Sequence, residues 1–314
     1  MPTTPNWLRG GAMLAGAAIT WGAMFAVVKP LMAEIDPFTL TVLRYGPAAP
    51  IFLGLLVAVE GRAALATEGK AFRLWWLGTL GFAGFGLLAF LGLRSTRPEH
   101  ASVIPAMMPL IAVAIAALRQ RAWPAPRAIA AVLLGLLGVA LVVTHGDPRA
   151  LLTGGAGGGE ALIFLGASAW VLYTLGAAAF PGWSGLRYTA LTAAFGALSI
   201  GAIELLALAL GAAHLPAAAT LAAAAPSLLY LVLLAAVAAV IGWNAGMRAL
   251  GPARGVLFIN LVPVTAFLIA VVGGRVPAAA EIAGVALVIA ALLLNSLTAA
   301  PRPPVPVRAV GARG

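Results

Sequence analysis

Long apolar runs, one after another and parted by short polar breaks, dominate this sequence. A helix needs about 20 mainly apolar residues to cross a bilayer. Such runs fall at approximately 9–32, 37–59, 72–93, 98–118, 124–144, 160–180, 186–210, 226–249, 252–273 and 277–298. Charged residues make up only 9% of the chain and hydrophobic ones 62%, whereas soluble domains carry roughly a quarter charged. A chain so short of polar side chains has too few to cover a folded surface in water, and the reading is an all-α integral membrane protein.

The second constraint is internal repetition. Residues 92–118, GLRSTRPEHASVIPAMMPLIAVAIAAL, align with 246–272, GMRALGPARGVLFINLVPVTAFLIAVV, at an offset of 154. Gly92/Gly246, Arg94/Arg248, Pro98/Pro252 and Pro109/Pro263 coincide, and three Ala or Ile positions match besides. Each copy reads as an apolar helix ending in Gly-x-Arg, a Pro-started turn, and a new apolar helix with a Pro near its middle. The expected architecture is ten transmembrane helices as two inverted five-helix repeats around a central cavity. Residues 1–145 form the first repeat, 146–159 a Gly-rich linker, 160–298 the second repeat, and 299–314 a disordered cytoplasmic tail. Five spans per half is an odd number, so the second copy enters from the opposite side.

Charge supports one orientation. With the N-terminus inside, thirteen Lys and Arg fall in cytoplasmic segments and five in outer ones, with Arg44 inside the second span. The positive-inside rule then places both termini in the cytoplasm of a bacterial inner membrane. The net charge of +10 is spread through the breaks and forms no dense basic face, so nucleic acid is not an expected partner. The expected partners are a small-molecule substrate and the lipid bilayer, with the chain a monomer or homodimer. No phosphate-binding Gly-x-x-x-x-Gly-Lys loop, no His-Glu-x-x-His and no cysteine occur, so neither an enzyme, a metal site nor a cofactor is expected.

Paired inverted repeats with Gly and Pro interruptions in matching places are a mark of secondary transporters. Trp in the middle of spans one and six (AAITWG, GASAWV), Leu-Arg-Tyr in spans two and seven (43–45, 186–188 with Arg44 and Arg187), and Pro-containing spans four and nine add to this. Together they resemble the drug/metabolite transporter superfamily, EamA type, over nearly the whole chain. That resemblance implies export of small metabolites, with the aromatic amino-acid exporters as one branch. The Gly-Glu pair that members often carry after spans four and nine is replaced here by Arg119-Gln120 and Gly273-Gly274, so no role of that Glu carries over.

Depth picks out candidate site residues. At ~1.5 Å per residue, Trp21 lies ~18 Å into span one and Trp170 ~15 Å into span six, both near the midplane where repeat transporters bind substrate. Packing between helices is the competing reading for each. Tyr173 and Thr174 share a face of span six with Trp170. Asn244 and Asn260 are amides that must find partners in hydrocarbon, either on neighbouring helices or on a substrate. Phe82, Phe85 and Met108 are candidates for a soft apolar wall. Pro109 and Pro263 are candidate hinges. Arg44 and Glu204 are intramembrane charges at related depths, and such residues are functional hypotheses by default: they could pair with each other, or Arg44 could hold a substrate carboxylate and Glu204 a proton. His100, at the outer start of span four, is a candidate proton carrier because histidine changes charge near neutral pH, with a plain solvated loop residue as the competing reading. The expected function is export of aromatic or apolar amino acids by alternating access. The alternatives are a multidrug or lipid-like amphiphile carrier and, in a different class, a membrane-embedded enzyme or structural subunit.

Overall fold

A computed structural model describes residues 6–95, 104–121, 123–149, 158–274 and 276–297. Among them the regular structure is entirely helical. The helices are α1 (Asn6–Leu31), α2 (Pro37–Glu60), α3 (Ala71–Ser95), α4 (Met108–Gln120), α5 (Pro126–Thr144), α6 (Gly158–Gly176), α7 (Gly185–Ala209), α8 (Ala218–Leu250), α9 (Leu261–Val272) and α10 (Ala279–Leu297). Six of these stretches are long and apolar enough to cross a membrane, and four are shorter apolar helices.

Local chemistry explains several boundaries. Asp36 caps α2 by accepting from the N–H of Phe38 (2.9 Å) and Thr39 (3.0 Å), and Pro37 occupies the first turn, where a missing N–H costs nothing. Ser184 caps α7 in the same way, accepting from Arg187 N–H at 2.8 Å. Helix α8 begins at Ala218, ahead of the expected 226. The alanines upstream of Pro226 are strong helix formers and extend the helix past it.

Pro109 and Pro263 stand elsewhere in their helices than the sequence suggested. A 3₁₀ turn (Pro105–Met107) precedes α4, and a four-residue helical turn (Pro252–Gly255) and a 3₁₀ stretch (Val256–Asn260) precede α9. Both prolines therefore fall in the first turn of regular α-helix, where they break no i→i−4 bond, and the irregularity lies just before them. Two further irregularities carry no mark in the sequence. Thr79–Gly84 in α3 and Tyr230–Ala238 in α8 wind as π-helix, a form that concentrates at functional sites.

The principal partners are α1 with α8 and α9, α3 with α6, α2 with α7 and α8, α3 with α7, α4 with α6, and α5 with α10. Small residues set the closest crossings. A Cβ on Gly92 of α3 would lie 2.5 Å from the carbonyl oxygen of Gly159 on α6, and one on Gly246 of α8 would lie 2.7 Å from that of Gly10 on α1. Only glycine lets these backbones touch, the device membrane helices use where no hydrophobic drive separates lipid from protein. Large apolar side chains such as Val59, Leu198 and Leu205 face outward, as a lipid-facing perimeter requires.

Candidate functional site

An aromatic layer forms where α1, α3, α6 and α8 converge. Trp21 and Trp170 meet edge to face, ring centroids 5.4 Å apart at 90°, so two residues 149 positions apart in sequence share one contact. Trp21 also touches Trp243 at 5.2 Å. Trp170 continues the layer to Phe85 (5.5 Å) and Tyr173 (5.1 Å), and Tyr173 reaches Phe82 (5.4 Å), which meets Tyr45 (5.2 Å). Edge-to-face pairs of this kind add roughly 0.5–1.5 kcal/mol each beyond burial.

Two adjoining cavities, of about 30 Å³ each, open beside this layer. Met24, Arg44, Phe85 and Pro105 line both. Trp21, Trp170 and Met108 belong to the first, with Ile259 and Val262 opposite, while Phe90 and Ile163 extend the second. Each has room for a water or two and not for a substrate, so the walls must part for one to enter, and they are overwhelmingly apolar.

Arg44 is the exception in those walls. It is 2% exposed, Nη2 donates to the carbonyl of Ala235 at 3.1 Å, and its guanidinium lies 4.7 Å over the Tyr45 ring. Nε has no hydrogen-bond partner. Among the described residues no carboxylate pairs with it, and a buried cation without one is costly. The Ala235 carbonyl lies within the π stretch of α8, and it also accepts from Trp21 Nε1 at 2.9 Å.

The other anticipated residues divide. Asn244 is engaged away from the cavities: its Nδ2 donates to Tyr173 Oη and to Thr189 Oγ1, both at 2.7 Å, and Tyr188 Oη donates to the Tyr173 carbonyl at 2.6 Å. Thr174 is buried with its hydroxyl unpartnered. Asn260 is 1% exposed and neither amide atom has a partner. A Cβ on Gly135 would come within 2.5 Å of its Nδ2, so this amide faces α5 and not the cavity wall. Glu204 does not meet Arg44, although α2 and α7 pack together; its Oε1 lies 2.7 Å from Thr39 Oγ1 instead. His100 lies outside the described residues. The sequence reading passed over Trp243 and the Ala235 carbonyl. Trp243 could have been found from its place beside Asn244, whereas no residue type announces a π-helical carbonyl.

Beyond the helices, the α2–α3 loop is fastened to the start of α7. Glu68 accepts from Lys70 Nζ (3.0 Å), Trp183 Nε1 (3.0 Å) and Arg187 Nη2 (2.7 Å). Arg187 stacks 3.9 Å over the Trp183 ring and donates to the carbonyls of Ala64 and Ala66 at 2.9 and 2.7 Å. The Lys70 bond above all, with those from Trp183 and Arg187, pulls the Glu68 pKa down from 4.5 to about 2.

Comparison with known proteins agrees with this architecture. The EamA-like transporter family profile matches residues 8–144. The chain is 33% identical over 285 residues to the uncharacterized transporter YrdR of Bacillus subtilis (strain 168), covering 90% of this chain and 89% of that one. It is 28% identical over 286 residues to the uncharacterized transporter YyaM of the same organism, covering 90% and 92%. A crystal structure sharing 21% identity superposes with a TM-score of 0.71 over 92% of this chain and 98% of the other, a likeness of fold. On the strength of the YrdR match across nine-tenths of both sequences, the chain belongs to the EamA-like transporter family.

Proposed function

We propose that this protein is a secondary transporter that moves small amphiphiles bearing an apolar or aromatic body and a carboxylate, with aromatic amino acids as the leading substrates, by alternating access. The observation that carries the reading is Arg44: a buried cation without a protein carboxylate, in the wall shared by two otherwise apolar cavities. A substrate carboxylate would supply its missing partner through a charge-assisted bond, while Trp21, Trp170, Phe85 and Met108 would receive the side chain once the walls of these small cavities part. A cationic drug would meet like charge there, which favours amino acids over a general cation carrier. An anionic amphiphile remains the second reading, on the same contact.

Ten spans in two inverted repeats are the frame for the mechanism. Helix partners support it: exchanging each helix with the one five along turns the α1–α8 pair into α6–α3, α1–α9 into α6–α4 and α2–α8 into α7–α3, and returns α2–α7 and α5–α10 to themselves. The family profile ends at residue 144, beside the boundary drawn at 145. Rocking of one repeat against the other about the Trp21–Trp170 contact would expose the cavities to each side in turn.

The test is uptake of labelled phenylalanine and alanine into liposomes containing only the purified protein. Saturable phenylalanine uptake, competed by other aromatic amino acids and reduced in R44M, supports the assignment. Absence of uptake of either amino acid overturns the substrate class, and competition by carboxylate-bearing lipids or detergents then selects the second reading. Transport by the isolated chain also separates a carrier from a membrane-embedded enzyme or a subunit that works only in a larger complex.

A further inference from the structure

Far from the aromatic layer, one hydroxyl at the outer junction of α2 and α7 is surrounded by acceptors. Thr39 Oγ1 lies 2.9 Å from Asp36 Oδ2, 2.7 Å from Glu204 Oε1 and 3.3 Å from the carbonyl of His214. A hydroxyl has one hydrogen to donate. If both carboxyls were ionised, two anions would compete for that hydrogen, and one short O···O approach would be a contact between lone pairs.

The surroundings of the two acids differ. Asp36 is supplied as a carboxylate should be: Oδ1 receives the N–H groups of Phe38 and Thr39, and Oδ2 receives the Thr39 hydroxyl and the His214 N–H at 3.1 Å. Burial works to raise its pKa, but these bonds, led by the Thr39 and His214 N–H groups, outweigh burial and hold it below the ordinary 3.8. Glu204 is 7% exposed and receives no N–H; its Oε2 has no partner at all. The elements packed on α7 bring it no cation. Asp36 is the charged side chain that faces it from the α1–α2 loop. His214 offers backbone groups with its side chain exposed. Helix α3 offers Thr79, bonded to Ser199 at 2.6 Å, and α8 has no charged residue before Arg248. Arg44, five residues along α2 from Thr39, is turned to Ala235.

We infer that Glu204 is a proton-binding site of this protein, its carboxyl O–H donating to Thr39 Oγ1 while the Thr39 hydroxyl donates to Asp36. One added proton turns two competing carboxyls into a directed chain across two helices and a loop. Release of that proton leaves Glu204 charged, without a donor, beside Asp36. The junction then loosens, so proton occupancy is tied to whether α2 and α7 stay joined at their outer ends. Since α2 also carries Arg44, the proton site and the cavity sit on one rigid element, and the bound ion for the proposed transport is H⁺. This last step rests on the transport reading, whereas the proton site does not.

Infrared difference spectroscopy of the purified protein tests the site without any substrate. At neutral pH the wild type is expected to show a protonated-carboxyl C=O band that disappears on alkaline titration, is lost in E204Q and survives in D36N. Absence of the band from the wild type, or its persistence in E204Q, overturns the proposal. Phenylalanine uptake into liposomes gives the second reading: an imposed proton gradient is expected to stimulate the wild type, and E204Q to abolish that stimulation. Stimulation by a sodium gradient alone overturns the proton assignment. If the wild type carries no phenylalanine at all, the substrate reading fails and the infrared band still decides the site.

Discussion

Trp21 and Arg44 donate to the same carbonyl oxygen, that of Ala235, at 2.9 and 3.1 Å. One acceptor on α8 thereby positions the central ring of the aromatic layer and the cation of the cavity wall. Through it α1, α2 and α8 are joined in the interior.

The first prediction separates these two donors. Removing the charge at Arg44 in R44M takes away a buried, uncompensated cation, so folding stability is expected to hold or rise. The substrate bond is lost at the same time. Loss of a charged hydrogen bond costs about 1.5–3 kcal/mol, or roughly 10- to 150-fold in phenylalanine affinity. Thermal unfolding and binding measured on one preparation check this. Equal affinity in R44M and wild type would sink the role given to the guanidinium.

Trp21 and Trp170 are both buried but differ at Nε1, which is bonded in Trp21 and unpartnered in Trp170. W21F is therefore expected to lose roughly 1 kcal/mol more stability than W170F, the net worth of an ordinary hydrogen bond. Denaturation of the two variants side by side provides the measurement.

Helix crossings give a contrast between two glycines. G92A would drive a methyl group into the Gly159 carbonyl and is expected to destabilise by about 1–3 kcal/mol, as overpacking does. Gly16 has nothing within 4 Å of where a Cβ would sit, so G16A is expected to be stabilising by about 0.5–1 kcal/mol through helix propensity. A drop in melting temperature for G92A and a rise for G16A is the expected pair.

Acid titrates the loop clamp. With the Glu68 pKa lowered from 4.5 to about 2, its contribution to stability is complete above 4.5 and has gone once the pH has fallen through about 2. The difference in melting temperature between wild type and E68Q is expected to narrow across that window, and to shrink with added salt because the pair is exposed. A difference that stays constant from neutral pH down to 2 contradicts this account.

Much of this was legible beforehand because hydrocarbon imposes simple rules. Apolar length located the helices, and depth counted from their ends brought Trp21 and Trp170 to one level, where they touch. Other features lay beyond that kind of reading. Whether Arg44 meets Glu204 depends on how far α2 and α7 are rotated about their axes, and runs that are apolar all round give no rotational signal. The same uncertainty hid the direction of Asn260, which faces Gly135. Pro109 and Pro263 suggested mid-helix hinges because sequence does not show that the turns ahead of them are 3₁₀.

The π stretch in α8 makes this protein sensitive to chain length as well as to composition. A π turn holds one residue more than an α-helix needs for the same rise. Deleting a single alanine between Leu234 and Ala239 could leave a regular helix of unchanged hydropathy and nearly unchanged span. Everything beyond the deletion would keep nearly its present rotation, because the π turn already absorbs the extra residue. Trp243 would stay beside Trp21 and Asn244 beside Tyr173, while the winding around the Ala235 carbonyl, the acceptor shared by Trp21 and Arg44, would change. Two sequences that differ by one residue in this segment can thus look almost identical in an alignment, keep the same helix faces, and still differ in the acceptor that orients Trp21 and Arg44.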